Sequence, residues 1–146
     1  MQTKRRREGG KGLALVVDDE DSIRLLLTEL LSAAGYRCVD AADADGAFDA
    51  LEDLGIVGER LDLAILDIML PGITGAELGL KLREMYPGLP IVAVTAHLGA
   101  WDREDLADLG FDATVRKPLD FSEFLRACSR AARERKQEAQ PHLSVV

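Results

Sequence analysis

Five short apolar runs recur along the chain, each followed by a longer stretch in which apolar residues return at helical spacing. The runs are Leu13–Val17, Tyr36–Ala41, Leu63–Leu66, Pro90–Ala96 and Ala113–Arg116. Alternation of this kind marks repeated strand–helix units, since a buried parallel strand reads as a continuous apolar run and its crossover helix as a one-sided stripe. It predicts an α/β fold around a parallel sheet.

The segments between the runs carry their own start and stop signals. Ile23, Leu26, Leu27, Leu30 and Ala34 define a first helix that Gly35 stops, and the more polar Tyr36–Ala41 is placed at a sheet edge. Ala47, Leu51 and Leu54 define a second helix, with Gly55 as its end. Thr74 and Glu77 form a capping box at the start of a third, which presents Leu78, Leu82 and Met85 and stops at Pro87-Gly88. A fourth helix runs from about Asp102 to Leu109 before Gly110. Asp120 and Glu123 open the last, whose stripe is Phe121, Phe124, Leu125 and Cys128. Beyond Arg133 the composition turns polar and Pro141 blocks continuation. The chain therefore reads as a basic flexible tail (1–12), one domain (13–133) and a flexible tail (134–146).

At 146 residues one domain buries roughly two-thirds of the surface its unfolded chain exposes, so no disulfide or metal staple is required. Cys38 and Cys128 lie in periodic segments without a CxxC spacing. With no secretory h-region and no apolar run near the length of a membrane span, a reduced, cytoplasmic setting is expected. The net charge of -8 is unevenly spread: between residues 12 and 126 eight Lys/Arg stand against twenty-three Asp/Glu. Such a body repels phosphate backbones, which excludes direct nucleic-acid binding as the leading role.

Four of the runs end in polar residues: Asp18-Asp19, Asp67, Thr95 and Lys117. In an open parallel sheet the C-terminal strand ends share one edge, and ligands bind there. Three carboxylates brought together repel one another and require a counter-charge. Oxygen ligands with waters suit Mg²⁺, and no His or Cys nearby favours zinc. Asp18-Asp19 also fits a helix N-cap. Asp67 is harder to read that way, because no helix directly follows it, although a polar strand end or an indirect metal contact remains open. A carboxylate can attack phosphorus to give an aspartyl-phosphate, and a cation, a hydroxyl and an ammonium can neutralise the transferred oxygens. Thr95 and Lys117 supply the last two.

Taken together, Val16-Val17-Asp18-Asp19-Glu20, Leu66-Asp67-Ile68-Met69-Leu70-Pro71-Gly72-Ile73-Thr74-Gly75, Val94-Thr95-Ala96 and Lys117-Pro118 resemble the receiver domain of two-component response regulators, in its single-domain, chemotaxis-regulator-like form. The resemblance runs from about Leu13 to Arg133. It implies a doubly wound, flavodoxin-like sheet of strand order 2-1-3-4-5, with Asp67 as phosphoacceptor from a phosphohistidine of a sensor kinase or histidine phosphotransfer protein. It also implies Mg²⁺ held by Asp19, Asp67 and the backbone carbonyl of Met69, with Asp18 acting largely through water, and phosphoryl oxygens bound by Thr95 and Lys117. The implied partner is a downstream protein rather than a membrane or nucleic acid, and the only catalysis is of the domain's own phosphorylation and dephosphorylation.

One position departs from that family pattern. The aromatic residue usual three places before the lysine is here Thr114, which leaves the output face to other groups, with His97 as a gate-lining side chain and Trp101 near the fourth helix. Two other functions compete: a receiver-fold adaptor that is never phosphorylated, and an aspartyl-nucleophile hydrolase. The intact set of five site residues speaks against the first. Met69, standing where dehalogenase-like phosphatases carry a second Asp, speaks against the other.

Overall fold

The computed structural model describes residues 10–96 and 103–139. His97 and Trp101 lie outside them. Five strands alternate with five helices: β1 Gly12–Val17, α1 Asp21–Ala33, β2 Tyr36–Ala41, α2 Ala44–Ile56, β3 Leu63–Asp67, α3 Gly75–Met85, β4 Ile91–Thr95, α4 Arg103–Asp108, β5 Ala113–Arg116 and α5 Phe121–Ala139. The strands are all parallel in the order β2-β1-β3-β4-β5. Both the expected order and the edge position of β2 hold.

Period-two alternation along the strands divides the apolar side chains between two layers. Leu13, Leu15, Val17, Ala64, Leu66, Ile91 and Ala93 face α2, α3 and α4, where Leu51, Leu78, Leu82 and Leu106 meet them. Ala14, Val16, Leu63, Ile65, Val92, Val94 and Val115 face α1 and α5, packing on Leu27, Leu31, Phe124, Ala127 and Cys128. With both faces covered by helices, the residues at the C-terminal strand ends are left to line a site.

Several boundaries differ from expectation. Gly55 lies inside α2, which continues to Ile56, and the chain turns at Gly58, whose φ of 78° favours glycine. Met85 is half exposed because α3 ends there and the following Tyr86 packs on the core instead. Phe121, the first residue of α5, is also exposed, and Phe124 one turn on fills the core. α5 itself does not stop at Arg133. It runs to Ala139, and Arg135 is held by Asp112, Nε to Oδ1 at 2.7 Å. The same Asp112 takes Arg83 of α3 and the Ile91 N–H on Oδ2, at 3.1 and 2.9 Å. Polar composition misled here because this helix end is fixed by charge. Among the described residues no helix is long and apolar enough to cross a membrane.

Candidate functional site

Parallel register brings the strand ends to one edge. Val17 pairs with Leu66, Asp67 with Val94 and Thr95 with Arg116. Asp18, Asp67, Thr95 and Lys117 are thus the last residues of their strands or the first beyond them. The Lys117 N–H donates to the Thr95 carbonyl at 2.9 Å, which extends the β4–β5 ladder to the site, and the Lys117-Pro118 peptide is cis.

Asp67 is 5% exposed and Asp18 fully buried. Asp67 Oδ1 accepts the Met69 N–H at 2.9 Å, and Asp18 Oδ1 accepts the Glu20 N–H at 2.9 Å. Their second oxygens share one ammonium: Lys117 Nζ lies 3.0 Å from Asp18 Oδ2, 3.3 Å from Asp67 Oδ2 and 3.0 Å from Glu20 Oε1. The sharing is asymmetric. Burial opposes the charge on Lys117, but the Asp18 carboxylate beside it, the hydrogen bond to Glu20 and the attraction of Asp67 outweigh it, so its pKa lies above the ordinary lysine value. Asp18 recovers less. Burial, with repulsion from Asp67 added, outweighs the Glu20 N–H and its share of Lys117, so its pKa is raised.

Donor oxygens of Asp18, Asp19 and Asp67 all lie within 4.8 Å of one another. Asp18 Oδ2, although 3.0 Å from the ammonium, has no hydrogen bond of good geometry. A buried lone pair beside two further carboxylates is a donor set for a hard, oxygen-seeking cation, so the residues fit Mg²⁺. Met69 stands next to this set, its side chain exposed and its N–H already committed to Asp67.

The loop after β3 is held close. Its turn uses Gly72 at φ 73°, the Gly75 N–H donates to the Ile68 carbonyl at 3.0 Å, and a Cβ on Gly75 would overlap the Asp67 carbonyl oxygen. The capping box then starts α3: Thr74 Oγ1 accepts the Glu77 N–H at 3.2 Å, and Glu77 Oε1 accepts the Thr74 N–H at 3.1 Å. Thr95 is fully buried at the end of β4, and Thr114 is half-buried in β5 opposite Ala93.

The structure thus gathers Asp18, Asp19, Asp67, Thr95 and Lys117 at one edge. Sequence reasoning assigned no part to Glu20, although it follows the acidic pair directly, and none to Arg24, whose guanidinium reaches back to the Asp18 carbonyl. A charged residue in a helical pattern reads as solvated surface, so no local signal exposed that contact.

A parallel sheet of this order with an acidic edge facing one lysine is the arrangement that the resemblance to receiver domains implies. A family profile described as the response regulator receiver domain matches residues 14–129, and the chain belongs to that family. It is 29% identical over 131 residues to the DNA-binding transcriptional regulator NtrC of Klebsiella pneumoniae, covering 90% of this chain and 27% of that protein. The chain therefore spans about a quarter of that relative's length. A CheY-like receiver domain protein from Methanospirillum hungatei superposes with a TM-score of 0.74 at 27% identity, covering 88% of this chain and 98% of that one. The response regulator TrrA of Thermotoga maritima, solved in complex with Mg²⁺ and BeF, gives a TM-score of 0.70 at 32% identity over 83% of this chain and 99% of its own.

Proposed function

We propose that Asp67 accepts a phosphoryl group, in a Mg²⁺-dependent transfer, from the phosphohistidine of a sensor kinase or histidine phosphotransfer protein, and that the phosphorylated domain signals by altered binding to another protein. One observation carries this reading: a buried carboxylate ends β3 with an ammonium 3.3 Å away and two more carboxylates grouped around it. Receiver domains of response regulators take phosphoryl groups from sensor kinases, and the likeness to a receiver solved with Mg²⁺ and BeF supports the same site here.

In the transfer a P–O bond forms to an Asp67 carboxylate oxygen while the P–N bond to the donor imidazole breaks, its electron pair staying on nitrogen. Asp19, Asp67 and the Met69 carbonyl would hold Mg²⁺, with Asp18 acting largely through water, and the bound ion would neutralise charge on the phosphoryl oxygens. Lys117 stands beside Asp67 and exchanges a carboxylate partner for a phosphoryl oxygen. The Thr95 hydroxyl binds another. Output then runs through the face of α4, β5 and α5, with Thr114 in place of an aromatic switch; His97 and Trp101, assigned to the same face, lie outside the described residues. The domain catalyses only its own phosphorylation and dephosphorylation.

Incubation with a small-molecule phosphodonor and Mg²⁺, followed by intact mass, tests this. One added phosphate, absent without Mg²⁺, is expected. No addition identifies the adaptor reading, and sustained phosphate release at enzyme-like rates identifies a hydrolase.

A further inference from the structure

Arg24 lies one turn into α1, outside the strand-end cluster, yet three elements meet on its guanidinium. Nη1 donates to the main-chain carbonyl of Asp18 at 2.7 Å, Nη2 to Asp21 Oδ1 at 2.7 Å and Nε to Asp40 Oδ2 at 2.9 Å. The loop after β1, the first turn of α1 and strand β2 are thereby joined. Only the planar, multi-donor fork of arginine can do this at once, and the side chain is 18% exposed while Asp21 is 90% exposed.

The bond to Asp18 matters most. The Asp18 N–H is fixed by the Ala41 carbonyl at 3.2 Å and its Oδ1 by the Glu20 N–H. Its carbonyl oxygen belongs to the rigid peptide plane shared with Asp19. Holding that oxygen sets the plane from which the exposed Asp19 side chain departs. Glu20 at the N-cap makes no side-chain capping bond, and its own N–H and carboxylate are taken by Asp18 Oδ1 and Lys117, so Arg24 is what ties the Asp18 carbonyl to α1 and β2.

We propose that Arg24 is the positioning residue of the cation site: it fixes the Asp18–Asp19 peptide and places a positive charge behind it, keeping both carboxylates in register with Asp67. This rests on the divalent-cation reading given above. Mg²⁺ demands nearly ideal geometry whereas Ca²⁺ tolerates irregular sites. Loss of Arg24 should therefore weaken Mg²⁺ more than Ca²⁺.

The test is calorimetric titration of Mg²⁺ and Ca²⁺ into wild type, Arg24→Gln, Asp40→Asn and Arg37→Gln, with melting curves recorded without cation. Arg24→Gln should lose about tenfold in Mg²⁺ affinity, the scale seen when partners of metal ligands are removed, and proportionally less for Ca²⁺. Asp40→Asn keeps the bond to the Asp18 carbonyl and should show the same bias in smaller measure. Arg37→Gln, near the start of β2 and paired with Glu59 in the segment between α2 and β3, should match wild type. Unchanged Mg²⁺ affinity in Arg24→Gln, or equal losses for both ions alongside a lowered melting temperature, overturns the inference. Should Arg24→Gln not fold, unaltered Mg²⁺ affinity in Asp40→Asn overturns it. Absence of Mg²⁺ binding in wild type overturns the cation reading itself, and this inference with it.

Discussion

Gly75 is the first residue of α3, and replacing it with alanine sets two effects of opposite sign against each other. Alanine is favoured over glycine by about 1 kcal/mol inside a helix, and by less at a first position, where backbone groups are only half engaged. Against this, the added Cβ would overlap the Asp67 carbonyl oxygen and lie 2.7 Å from both the Asp67 carbonyl carbon and Ile68 Cα. These are main-chain atoms, so no rotamer change relieves the contact, and the loop must move by roughly an ångström. Overpacking of this kind typically costs about 1–3 kcal/mol, so the loss wins. At about 2–4 °C per kcal/mol for a chain of this size, Gly75→Ala should melt roughly 3–10 °C below wild type. The displaced atoms carry Asp67, the proposed phosphoacceptor, so phosphorylation from a small donor should slow by about tenfold or more. Gly55→Ala is the matched control: Gly55 lies within α2 with nothing inside 4 Å of the new Cβ, and a gain of about 0.5 kcal/mol is expected. Circular-dichroism melts and intact-mass time courses on both variants decide the matter. A Gly75→Ala protein that melts at or above wild type, or is phosphorylated at the wild-type rate, refutes the reasoning.

Asp18→Asn should raise the melting temperature of the Mg²⁺-free protein at neutral pH and abolish its response to Mg²⁺. The sign follows from linkage: the folded pKa of Asp18 is raised above 3.8, so the stability it contributes is complete below 3.8 and is lost as pH rises through the folded value. The advantage of the variant should accordingly shrink in melts taken toward pH 3.8, and an advantage that grows there contradicts it. Asp112→Ala should cost about 3 kcal/mol in denaturant unfolding, because it leaves the Ile91 N–H and two largely buried guanidinium groups without their carboxylate; a change under about 1 kcal/mol counts against the clamp. Burial pushes the Cys38 and Cys128 thiols up to about 11 and 12, so alkylation at pH 8 should be slow in the native protein and fast in denaturant, as read by mass.

The parallel α/β pattern and the main site residues were legible because four of the five apolar runs end in a residue with chemistry, and parallel topology sends those ends to one edge; the strand order followed from the resemblance to receiver domains. Other features were hidden by their locality or by its lack. Gly55 and Gly58 both follow an apolar stripe, and only the positive φ of Gly58 separates a helix end from a helix interior. The end of α5 is set by Arg135 meeting Asp112, 23 residues earlier in the chain, which helical periodicity does not record. Arg24 and Asp40, 16 residues apart, become partners only once β2 lies beside β1. Glu20 was visible beside the acidic pair, but its contact with Lys117 spans 97 residues.

Reductive trapping locates the phosphate directly. Borohydride converts an aspartyl-phosphate to homoserine, and peptide mapping then reads which residue has changed. After treatment with a phosphodonor and Mg²⁺, homoserine is predicted at position 67 and nowhere else, with none formed in Asp67→Asn. Homoserine at position 18 or 19, or a phosphorylated protein with residue 67 still aspartate, contradicts the assignment of Asp67.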